Sequence, residues 1–163
     1  MKFKAKVVIP AAAALAALGV GAFLYFRAPE ENMGDNRIPY AEGVVIMEDK
    51  EIPPVERGKI ALRYKYQAHS ADGIHFSGML GNDPSNSYDL YFDIYTDAAL
   101  EDQIYLSGLV PPGSAIKEIE LMHELPEGTT TAYVSFNQVE TDEEGRQALV
   151  SQTLVTVDFI VGG

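Results

Sequence analysis

The chain has 163 residues, no cysteine and no tryptophan, with 12 lysines and arginines against 24 aspartates and glutamates. The lack of cysteine excludes a disulfide framework, a thiolate metal centre, a cysteine nucleophile and a lipid-modified cysteine. Charge is split along the chain: four cations and no carboxylate up to Arg27, then eight cations against all 24 carboxylates. The remainder therefore carries a net −16, which argues against nucleic acid and anionic headgroups as partners.

Lys2, Lys4 and Lys6 precede an uncharged run of 20 residues, Val7 to Phe26, that stops at Arg27. About 20 helical residues at ~1.5 Å rise cross a ~30 Å hydrocarbon core. Residues 1–27 are thus expected to form a transmembrane helix with a cytoplasmic N-terminus, placing the rest of the chain outside the cell membrane. The run is longer than a secretory h-region of roughly 7–15 residues. A cut at Val20-Gly21-Ala22 would also leave the apolar Phe23-Leu24-Tyr25-Phe26 at the new terminus. Both points favour an uncleaved signal anchor. Residues 28–41, rich in proline, glycine and charge, read as a tether, and residues 42–163 as one domain.

Within that domain the apolar period is two. Gly43–Met47 is a short strand, followed by a loop from Glu48 to Gly58 that contains Pro53-Pro54. From Lys59, Ile60, Leu62, Tyr64, Tyr66 and Ala68 alternate with polar residues, the mark of a strand with one face inward. Asp72-Gly73 signals a hairpin. A three-residue loop, Ala71-Asp72-Gly73, keeps Ile74 and Phe76 on the core face and makes His69 and His75 cross-strand neighbours. Tyr88, Leu90, Phe92 and Ile94 then alternate with Asp89, Tyr91, Asp93 and Tyr95, and Asp97–Asp102 suits one helical turn. Strands are expected again at 104–109, 115–122, 130–139 and 147–161. The count is eight, with no amphipathic helix to carry parallel crossovers. The expected fold is all-β: an antiparallel two-sheet immunoglobulin-like sandwich behind one transmembrane helix, with a closed barrel as the alternative.

The stretch from Tyr88 to Val139 combines a strand, the Pro111-Pro112-Gly113 link, an Ile-x-x-Ile-x-Leu strand at 116–121, Leu125-Pro126-Glu127-Gly128 and a threonine- and aromatic-rich strand. It resembles the immunoglobulin-like modules of bacterial cell surfaces. That resemblance implies an extracellular adhesive, scaffolding or inhibitory module, and fold class by itself assigns none of these.

Few residues suggest chemistry. His69 and His75 are the candidate metal ligands, with Asp72 the only local third; a zinc site needs more. Oxygen-rich loops at 82–86, 97–102 and 141–144 would suit calcium if they met at one end, although none has the EF-hand spacing. There is no G-x-S-x-G elbow, and Ser77 and Ser107 have no base nearby in sequence. No catalytic residue and no cofactor is assigned. Tyr91 and Tyr95 share one strand face with Asp93 between them, a pattern suited to protein or glycan contact. The expected function is a non-catalytic binding or assembly module of the bacterial envelope, joined to the membrane through residues 7–26 and to an envelope protein or wall polymer through that face. Two alternatives are a cleaved, secreted module of the same fold acting as inhibitor or adhesin, and a hydrolase whose site assembles only in three dimensions.

Overall fold

A computed structural model describes residues 24–26, 31–32, 37–47, 54–56 and 59–162, the first two stretches through their backbone pairing alone. All the regular structure is β: β1 (Leu24–Phe26), β2 (Glu31–Asn32), β3 (Val45–Ile46), β4 (Leu62–Tyr64), β5 (Gln67–Ser70), β6 (His75–Asn82), β7 (Asp89–Tyr95), β8 (Gln103–Leu106), β9 (Ser114–Glu120), β10 (Gly128–Thr141) and β11 (Gln147–Val161). The strands form one curled, mixed sheet in the order β3-β9-β6-β5-β11-β10-β7-β8. β4 pairs with β6, and β1 and β2 pair with β11.

The alternation that the sequence predicts is what the sheet buries. Leu90, Phe92 and Ile94 of β7, Val134 and Phe136 of β10, and Val155, Val157 and Phe159 of β11 all lie in the core. The curl brings them against Phe76, Leu80, Ile116 and Ile119 of β6 and β9. Phe76 meets Phe159 edge-on at 4.9 Å, and Tyr64 meets Phe136 at 5.7 Å.

Three local expectations are corrected. The strand expected through residues 60–68 breaks at Lys65-Tyr66. β4 pairs with β6, whereas β5 moves across to β11, and Tyr66 at the step is turned out, 72% exposed. The β5–β11 pairing is parallel, although the lack of crossover helices argued for antiparallel pairing throughout. That argument holds only for strands close in sequence; between these two lies most of the domain, which serves as the connection. Finally, residues 97–102 make a turn with Leu100 at a φ of 58°, not a helical turn. The Asp97 carboxylate accepts from the backbone amides of Ala99, Glu101 and Asp102 and so closes the loop on itself.

The anchor expectation falls on residues 1–27, which lie outside the described residues except for Leu24–Phe26; those three are strand, paired with residues 152–154. Among the described residues no helix is long and apolar enough to cross a membrane. The end of the expected tether is held to the body. The Gln147 side chain accepts from Ile38 N at 2.6 Å and donates to Ile38 O at 3.0 Å. Leu109 N donates to Pro39 O, and Ala41 N to Leu109 O. Gly108 lies beneath this crossing, where a Cβ would stand 2.5 Å from Pro39 O; only glycine lets the backbone pass so close.

Candidate binding face on the outer side of strand β7

Because Leu90, Phe92 and Ile94 point into the core, Tyr91, Asp93 and Tyr95 point out of the opposite sheet face. Register fixes their neighbours. Tyr91 stands opposite Asn137, Asp93 opposite Ser135 and Tyr95 opposite Tyr133 on β10. On the other side, Asp93 faces Leu106 and Tyr95 faces Gln103 of β8. Beyond β10, Asn137 pairs with Gln152 and Ser135 with Leu154 of β11.

This outer face is not the open, solvated surface that alternation suggests. Ser135 and Asn137 have no exposed area and Asp93 is 8% exposed, while both tyrosines are half-buried. The floor is small and polar, and its groups are tied to one another. Ser135 Oγ donates to Asn137 Oδ1 at 3.0 Å, and Gln152 Nε2 donates to both Ser135 Oγ and Asn137 Oδ1. Asn137 Nδ2 donates to the backbone oxygen of Tyr91 at 3.3 Å. Such interlocking satisfies buried polar groups that would otherwise each cost about 1–3 kcal/mol.

Asp93 is left out of that economy. Tyr95 OH donates to its Oδ2 at 3.2 Å, while its Oδ1 is buried with no hydrogen-bond partner. Burial, opposed by the Tyr95 bond, pushes its carboxyl up to about 6. The Tyr91 and Tyr95 hydroxyls are likewise raised, first by burial and then by the Asp93 charge. Leu106 beside them is 51% exposed.

The other candidate residues are arranged differently. His69 pairs with Ser77, so the β5–β6 loop is two residues longer than expected and the two histidines are not opposite each other. The same face is buried as predicted, because a slip of two preserves the alternation. His75 Nδ1 lies 2.7 Å from Asp72 Oδ2, with Glu120 Oε1 3.9 Å from Nε2. The Asp72 hydrogen bond raises the His75 pKa. Asp72→Asn should therefore return His75 toward its ordinary 6.5, read from the imidazole resonances in an NMR pH titration; an unchanged midpoint would remove Asp72 as the cause.

Ser70 Oγ donates to Asp72 Oδ1, so the aspartate stands between serine and histidine. A nucleophilic triad needs the histidine in the middle. Ser107 Oγ accepts from Phe92 N and donates to Gly108 O, a structural bridge. Ser77 Oγ donates to Glu118.

The three oxygen-rich loops do not converge. Asp89 pairs with Val139 and Tyr95 with Tyr133, which puts the 97–102 turn at the opposite end of the sheet from the 141–146 hairpin. Their carboxylates already serve local amides: Asp83 Oδ1 accepts from Ser85, and Asp142 Oδ1 from Glu144 and Arg146. Among the described residues no group of three or more histidines, aspartates and glutamates is placed to hold a metal ion.

Sequence reasoning picked out the β7 residues but not Ser135, Asn137, Gln152 and Leu106, which complete their surroundings. The signal was small polar residues on the outward face of a long central strand, where bulkier groups usually stand. No family model, curated protein or solved structure matches the chain.

Proposed function

We propose that this chain is a non-catalytic binding or assembly module, held outside the bacterial cytoplasmic membrane by the part of the 7–26 run that precedes strand β1, and that it engages an envelope protein or wall polymer through the Tyr91–Asp93–Tyr95 face. The body is read as an immunoglobulin-like two-sheet sandwich. Strand order supports this if the single sheet is divided at its parallel β5–β11 pairing, with β3-β9-β6-β5 read as one layer and β11-β10-β7-β8 as the other. On that division the core draws on both layers, and the link from β8 to β9 would pass from one to the other.

The observation that carries the functional reading is the Asp93 carboxylate, buried beside two tyrosines with one oxygen unpaired. A buried charge without a partner costs stability and does nothing for the fold. Such residues gather at functional sites. The net −16 of the chain after Arg27 adds attraction for a basic partner.

The test is site-specific photo-crosslinking of the full chain in intact cells, with the reactive group at Tyr91 or, as a control on the far side of the fold, at the exposed Lys117. The expected result is a discrete adduct from position 91 that disappears in Asp93→Asn and is absent from position 117. Equal adducts from both positions, or an adduct indifferent to Asp93, would sink the proposal.

A further inference from the structure

We infer that the unpaired oxygen of Asp93 receives a primary ammonium group, of the kind a lysine side chain of a protein partner presents. This rests on the binding reading above and goes further by naming the chemistry of the contact. The donors of the β10 and β11 floor beside Asp93 are committed elsewhere. The Ser135 hydroxyl is given to Asn137, the Gln152 amide to Ser135 and Asn137, and the Asn137 amide to backbone carbonyls. Among the described residues no salt bridge engages Asp93. Its Oδ2 accepts from Tyr95, which leaves one oxygen, Oδ1, for an outside donor.

One free oxygen selects among donors. A guanidinium binds a carboxylate best through two parallel bonds to both oxygens, whereas an ammonium is a compact point charge content with one. Tyr91 and Tyr95 flank the position, and a cation near aromatic faces gains further attraction. Their hydroxyls, held neutral by burial and by Asp93, add polar contacts at low entropy cost.

Access runs past Tyr95 and Leu106. The Tyr95 hydroxyl is held by bonds of 3.2 Å to Asp93 and 3.5 Å to Gln103, both long for an O–H donor or acceptor. Its ring is the most easily displaced cover. Leu106, half exposed at the register position opposite Asp93, offers apolar area to the methylene stem that carries the ammonium. A lysine side chain has that stem, and an amino sugar of a wall polymer does not.

The experiment titrates the isotopically labelled full-length chain with N-acetyl-lysine amide, N-acetyl-norleucine amide and glucosamine, following the Asp93 carboxyl carbon and the Tyr95 ring by NMR. The lysine derivative should produce a saturable shift at both, and its affinity should fall about tenfold or more in Asp93→Asn, the loss expected for a charged hydrogen bond. It should survive in Asp89→Asn, and thermal melts of each variant confirm folding. An identical response to norleucine amide, binding unchanged in Asp93→Asn, or a response to glucosamine but not to the lysine derivative would overturn the inference. If crosslinking from position 91 still depends on Asp93 while the lysine derivative has no effect, the ammonium is wrong and the binding face stands.

Discussion

Asp93→Asn should stabilise the protein at neutral pH by about 2–3 kcal/mol, the worth of a carboxyl held at about 6 in the fold and at its ordinary value in the unfolded chain. In the fold the Asp93 carboxyl sits at about 6 against an ordinary 3.8, chiefly through burial. The folded state therefore keeps its proton through a range in which the unfolded chain has already lost it. Below about pH 4 both states are protonated and the group costs little. Between pH 4 and 6 only the unfolded chain ionises, so stability falls as pH rises; above 6 both are ionised and the penalty is constant.

Denaturant titrations of wild type and variant at pH 4, 5, 6 and 7.5 should thus show a gap that opens through pH 5 and is flat beyond 6. The groups around Asp93 are Tyr91 and Tyr95 on its own strand, Gln103 and Leu106 on β8, and Ser135 on β10. Both tyrosine hydroxyls are shifted upward and stay neutral in this window. Asp89, farther along the same face, is also raised by burial and adds a slope of the same sign to both proteins. A gap that is constant with pH, or of opposite sign, would mean that Asp93 is hydrated and paired, and the binding face would lose its main support.

Phe136→Ala should destabilise the protein by about 3–5 kcal/mol, the cost of a large cavity in a packed core. Phe136 has no exposed area and lies 4.9 Å from Phe92 on the adjacent strand and 5.7 Å from Tyr64 across the core. Removing the ring takes contacts from both sides at once, and backbone pairing on each flank of β10 keeps the strand from collapsing inward. A loss of this size is a large fraction of the roughly 5–15 kcal/mol that single domains possess. The check is the urea midpoint with an unchanged slope. Leu106→Ala on the same sheet, half exposed, should cost about 0.5 kcal/mol or less. Similar losses at the two positions would mean that the core is not centred where the rings place it.

Period-two alternation made the strands of this fold legible, because one buried face repeats every second residue wherever a sheet covers a core. It placed Phe76, Phe92, Phe136 and Phe159 inward without knowledge of their partners. It could not give pairing distance: the slip of two at His69 leaves every face unchanged, so burial cannot report it, and the expected meeting of His69 and His75 was lost. It was equally silent on the parallel pairing of β5 with β11, which involves residues some 90 positions apart. The candidate face was half legible. Tyr91, Asp93 and Tyr95 stood out on one strand, but alternation labels the second face only as not core. That Ser135 and Asn137 are fully buried there, and that Asp93 lies below the tyrosines, depends on side-chain lengths on three adjacent strands. That is a property of the sheet and not of any segment.

The crossing of residues 37–41 over Gly108 also sets a direction. It joins the body at the end that bears the 141–146 hairpin, and Gln147 grips it there. β1 and β2 run antiparallel to β11, from the level of Leu154 to that of Ala148, so the N-terminal segment travels along β11 towards the hairpin before it reaches this crossing. Residues 24–26, 31–32 and 37–41 are thus part of the body. Whatever lies upstream of Leu24 meets the domain at mid-sheet, at the register level that Leu154, Ser135 and Asp93 share.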